Sequence, residues 1–303
     1  MYNGYICKIC HAAVTEKKHF WKEHKIAEAD YFSKYEPKFD LLTGEQIPFK
    51  SFDSYVTNDF VLRGNLKKYL VQLSYPDAFK YLSNWIKTRK NFKNLVYSPS
   101  EFEFKMLQFP LISYLIKTYG YEFYRDICEL SELKLLYNYS SIPTIKYEEI
   151  EFLIDSREQH LLKTNNYQIK KLDFGDYTTK NSDFVVERKT LQDALGTLSQ
   201  GYDRFIREIE RCVDDNGYIV VLIEEKQSNL DSYKFLPHTR HVKAEPVFIQ
   251  HQIRELLLKY PTYIQFLAVD GTREAARVLE KIFRIEGSAR NWDLQFLYNK
   301  GVL

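Results

Sequence analysis

Glu151-Phe-Leu-Ile-Asp-Ser-Arg-Glu158, Phe174-Gly-Asp-Tyr177 and Phe184-Val-Val-Glu-Arg-Lys189, followed by Asp193, decide how this chain is read. Charged clusters follow apolar, β-branched runs: Ile154 leads into Asp155, and Val185-Val186 into Glu187. Short apolar runs of this kind predict buried strands. A carboxylate at the end of a buried strand sits at the rim of a core, where its charge needs a partner or a metal. Asp155, Asp176 and Glu187 around Lys189 suit a divalent cation, Mg²⁺ or Mn²⁺, that activates water on a phosphate. Glu187 and Lys189 are two apart, so on a strand they share a side and Arg188 points to the other. A surface salt-bridge network accounts poorly for the cluster, because carboxylates placed together repel without a cation.

The order of these clusters closely resembles the nuclease domain of the XPF family of structure-specific endonucleases. That pattern has Asp-x-Arg-Glu, then Gly-Asp, then Glu-Arg-Lys with Asp after three intervening residues. Here it stands as Asp155-Ser-Arg157-Glu158, Gly175-Asp176 and Glu187-Arg188-Lys189 with Asp193. The likeness continues through Leu195–Gly201, Arg204-Phe205 and Tyr218–Ile223, covering roughly 150–286. It implies a restriction-endonuclease-like α/β fold, a mixed sheet flanked by helices. Asp155, Asp176 and Glu187 would hold the metal, and Glu158, Arg157, Arg188, Lys189 and Asp193 would complete the catalytic set. Arg204 is a candidate DNA contact. The chain departs from the pattern after Gly201, where Tyr-Asp precedes Arg204-Phe205 and Glu208 stands at the family's Gln position. No helicase motif and no tandem helix-hairpin-helix are expected, so substrate and partner choice are expected to differ from those of larger members. Homodimerisation through the nuclease domain is expected.

The 303 residues suffice for two or three domains, and 45% hydrophobic with 28% charged content indicates a globular chain. The net charge of +2 means that nucleic-acid binding must come from a local patch. No membrane span and no secretion signal are expected. Four Cys, two in Cys-x-x-Cys, suggest a reducing compartment and metal binding. The expected location is a bacterial or phage-infected cytosol, or a nucleus if the source is eukaryotic.

Domain boundaries are expected at 1–35, 36–147, 148–290 and 291–303. In the first segment Cys7, Cys10, His19 and His24 offer two thiolates and two imidazoles, a set suited to structural Zn²⁺, with His11 as a substitute ligand. The segment resembles short zinc fingers that begin many phage-encoded DNA-associated proteins, although the Cys10–His19 gap is short. Phe20–Tyr35 reads as one helix. In the mainly helical second segment, Arg63, Lys67, Lys68, Lys87, Arg89 and Lys90 are interleaved with aromatics. They read equally as a DNA surface that stacks unpaired bases and as solvated faces of amphipathic helices. Residues 101–136 read as apolar helices broken near Pro110.

The chemistry thus indicates a metal-dependent DNA endonuclease acting on branched, flapped or partly single-stranded DNA. A less selective nuclease or nickase is one alternative, and a non-catalytic DNA-binding partner subunit is another.

Overall fold

The computed structural model describes residues 5–39, 46–49, 51, 55, 74–93, 96–106, 110–239 and 242–303. Arg63, Lys67 and Lys68 lie outside the described residues, as do the side chains of Lys87, Arg89 and Lys90 on helix Tyr75–Lys93. Two compact units divide the chain, Met1–Ser98 with Leu107–Leu135, and Pro99–Met106 with Leu136–Leu303.

The second unit is built on six strands: β1 (Phe152–Asp155), β2 (Tyr167–Lys170), β3 (Tyr177–Thr179), β4 (Val185–Lys189), β5 (Ile219–Ile223) and β6 (Ile264–Ala268). Their order is β2-β1-β3-β4-β5-β6. β3 runs antiparallel to β1 and β4, whereas β1 pairs parallel with β2 and β4, β5 and β6 run parallel. This is the mixed sheet flanked by helices that the sequence implies.

β5 and β6 are buried throughout, as strands covered on both faces are; β5 is a continuous apolar run and β6 carries one polar residue, the buried Gln265. One face packs Val185, Val221 and Phe266 against helices Leu191–Thr197, Tyr202–Asp214 and Pro246–Lys259. On helix Thr272–Phe283, Phe283 stacks on Phe184 with ring centroids 4.5 Å apart and meets Phe152 edge-on. Each fully buried Val, Leu, Ile or Phe contributes about 1.5–3 kcal/mol.

The unit exceeds the boundaries read from sequence at both ends. Helix Glu101–Met106 puts Phe102 and Met106 into this core. Helix Leu294–Asn299 docks on β6, where the Ala268 N–H donates to Gln295 Oε1 at 2.9 Å.

In the first unit, the helix expected over Phe20–Tyr35 is two helices, His19–His24 and Glu28–Tyr35. Lys25 adopts a left-handed conformation, φ 55°, and ends the first. Phe20, Tyr31 and Phe32 form an aromatic core with Tyr5, Ile47, Phe49 and Tyr55. Among the described residues no helix is long and apolar enough to cross a membrane.

Candidate active site

The strand directions alone bring the motif residues to one edge of the sheet. Because β3 opposes both β1 and β4, its beginning lies beside their ends. The Asp155 N–H donates to the Asp176 carbonyl at 2.9 Å, and the Asp176 N–H to the Val186 carbonyl at 2.9 Å. Gly175 makes this approach feasible. Its φ is +69°, and a Cβ there would meet Val185 Cγ2 at 2.7 Å.

β4 then separates its side chains by parity. Glu187 and Lys189 share a face, with Lys189 Nζ donating to Glu187 Oε1 at 2.7 Å and lying 5.4 Å from the Phe205 ring centroid. Arg188 turns to the other face. Its Nε and Nη2 donate to Glu224 Oε1 and Oε2 at 2.6 and 3.0 Å, a bidentate pair. Its Nη1 donates to the His160 carbonyl at 2.8 Å and to Glu158 Oε1 at 3.3 Å. Arg188 and Glu158 are therefore held in an internal ion network.

Asp155 is 1% exposed, and both its oxygens are fully engaged. Oδ1 accepts from the Arg157 N–H and Nε, each at 2.7 Å. Oδ2 accepts from Arg157 Nη2 at 3.0 Å and the Leu172 N–H at 2.7 Å. Both oxygens of Asp155 are thus engaged by Arg157 and Leu172, whereas Asp176 accepts the Arg188 N–H and Glu187 pairs with Lys189. The Arg157 guanidinium beside Asp155 holds its carboxyl down at about 2. Asp193 is occupied locally: its N–H and Oδ2 bond reciprocally with Thr190 Oγ1, capping helix Leu191–Thr197.

Burial raises the Asp176 carboxyl to about 8, reinforced by the charge of Glu187, against the Arg188 N–H that donates to it at 2.8 Å. Burial also raises Glu187, with Lys189 opposing and Glu208 and Glu158 adding to the rise. Beside Glu187 opens a cleft of about 290 Å³ lined by Arg157, Lys189, Arg204, Phe205 and Glu208 among others.

Sequence reasoning missed Glu224. It follows the apolar run of β5 as Glu187 follows that of β4, so the same strand-end rule would have found it.

Residues 152–282 match the family model of the ERCC4 domain. This segment is an ERCC4 domain. Solved structures similar to the chain include XPF from Aeropyrum pernix, 20% identical, covering 44% of this chain and 63% of that one with a TM-score of 0.34. XPF from Aeropyrum pernix in complex with DNA is 19% identical, covering 50% of this chain and 66% of that one, also at 0.34. The chain therefore spans less than two thirds of either relative's length. No curated protein matches the chain.

A second constellation lies in the other unit. Cys7, Cys10, His19 and His24 bring their ligand atoms within 4.8 Å of one another, with Cys7 Sγ 3.4 Å from His24 Nε2 and Cys10 Sγ 3.5 Å from His19 Nε2. Tetrahedral zinc with Zn–S of ~2.3 Å and Zn–N of ~2.0 Å requires S···N separations of ~3.5 Å. Burial raises the Cys7 thiol, but hydrogen bonds from the Cys10 and Ile9 N–H groups, Tyr31 and the Cys10 side chain together turn the net shift downward, toward thiolate. Among the described residues no other His, Cys, Asp and Glu group of three or more converges as a candidate metal site.

Proposed function

We propose that the XPF-type domain hydrolyses phosphodiester bonds of DNA with a divalent cation, Mg²⁺ or Mn²⁺. The observation that carries this is Glu187 paired with Lys189 in the wall of a cleft, with the half-buried Asp176 carboxylate at the start of the neighbouring strand, where the charge of Glu187 reaches it. Two oxygen-donor side chains short of positive charge fit a hard cation that keeps several waters. Asp176 and Glu187 would hold such an ion, which would supply Lewis acidity toward the phosphate and an acidified water.

Lys189 orients the attacking water or offsets charge developing on the phosphate. Arg157, with Nε and Nη2 held by Asp155, has Nη1 left for a phosphate oxygen in the cleft it lines. Asp155 positions this arginine. Glu158 and Arg188 hold the ends of β1 and β4 through Glu224 and His160.

Glu187→Gln keeps the shape and removes the charge. It should lower cleavage by about 100-fold or more while sparing DNA binding. Cleavage at the wild-type rate would remove Glu187 from the reaction. Preference for branched or flapped DNA, and pairing of two nuclease domains, rest on the family resemblance. Duplex, flap, fork and four-way substrates, with the mass in solution, test both. We further propose structural Zn²⁺ on Cys7, Cys10, His19 and His24, supported by their spacing. Metal analysis should find one zinc per chain, and purified protein without zinc would end that assignment.

A further inference from the structure

Helix Tyr202–Asp214 carries Arg204, Arg207 and Arg211, and all three line the cleft that holds Glu187 and Lys189. Their spacing of three and four residues places them in one stripe about 60° wide at 3.6 residues per turn. Phe205, Ile209 and Cys212 occupy the buried opposite side. The three arginines are exposed, and none forms an ion pair with a described residue. The helix also carries Asp203, Glu208, Glu210 and Asp214, and Glu208 lines the cleft, but among the described residues the three guanidinium groups do not pair with these acids at i,i+3 or i,i+4; they line the cavity whose wall includes Glu187 and Lys189.

We infer that Arg204, Arg207 and Arg211 form a rail for a run of consecutive phosphates on one nucleic-acid strand, leading to or from the phosphate at Glu187 and Lys189. Arg204 to Arg211 spans about 10.5 Å of helix. Along the duplex axis one strand advances about 3.4 Å per nucleotide, so a row laid parallel to that axis covers about three steps. Planar, always-charged guanidinium forks suit phosphate oxygens better than lysine would. The ligand is therefore a continuous backbone of several nucleotides held without base readout, rather than a mononucleotide or a strand end. This rests on the nuclease function proposed above and assigns to it Arg207 and Arg211, with Arg204 as their neighbour.

The test measures binding of the full chain to a short labelled duplex by anisotropy, between about 50 and 200 mM salt. Each lost phosphate contact lowers the slope of log K against log salt by about 0.9, so Arg207→Gln with Arg211→Gln should lower it by about 1.8. Arg207→Lys with Arg211→Lys should restore most of the slope, which a merely misfolded helix would not allow. A Gln variant that melts like wild type with an unchanged slope overturns the rail. Glu187→Gln is measured alongside: an intact slope with lost cleavage supports both assignments. Retained cleavage in that variant refutes the nuclease centre and leaves the slope to decide the rail on its own.

Discussion

Asp155 shows how a single residue's surroundings set its role. It takes four hydrogen bonds from Arg157 and Leu172, and its carboxyl lies near 2 against an ordinary 3.8. The depressed value means that the bonds stabilise the fold fully above pH 4 and lose that effect as pH falls through 4 toward 2. Discounted for the 66% exposure of the Arg157 side chain, the contribution is about 1–2 kcal/mol. Asp155→Asn should therefore lower stability by about that amount near pH 7, with the difference from wild type shrinking below pH 4. Denaturant melts across this range check it. A pH-independent difference would contradict the ionic account.

At the scale of elements, β4 does the sorting. Period-two alternation sends Glu187 and Lys189 to the cleft and Arg188 to Glu224, and this division was legible in Val185-Val186-Glu187-Arg188-Lys189 before any coordinates. The sheet was legible too, because apolar β-branched runs announce its central strands. Asp155's engagement was not, because Leu172, which fills one of its oxygens, is 17 residues away. The break in the head helix was also hidden, since a left-handed Lys25 bears no Gly or Asn signature. The junction before β3 depends on Gly175. Gly175→Ala adds a Cβ 2.7 and 2.8 Å from Val185 atoms at positive φ. It should destabilise the domain by about 2 kcal/mol or more and displace Asp176, seen as a lower melting temperature with lost cleavage. An unshifted melt would show that the junction relaxes freely.

At the scale of the whole molecule, the unit that holds the ERCC4 domain extends beyond the matched segment. The Glu101 N–H donates to Asp293 Oδ2 at 2.6 Å, Asn299 Nδ2 to Glu101 Oε1 at 2.8 Å, and Tyr139 OH to Asp293 Oδ2 at 2.8 Å. Phe102 lies against Phe266 of β6, ring centroids 5.5 Å apart. Phe102→Ala should lower the stability of this unit by about 3–5 kcal/mol although the residue lies outside the matched segment. A loss below 1 kcal/mol would mean that helix Glu101–Met106 is peripheral. Cutting the chain at residue 148 should damage folding in the same way.

The clasp between Glu101 and its partners also bears on biosynthesis. The hydrogen-bonded residues are 192 and 198 positions apart, so early helix Glu101–Met106 emerges from the ribosome long before the groups that will receive it. Closing so long a loop is slow, and Phe102 and Met106 stay exposed to chaperones or to misassembly meanwhile. A nascent chain would thus acquire the finished core of this unit only late in translation, after Asp293 and Asn299 have appeared.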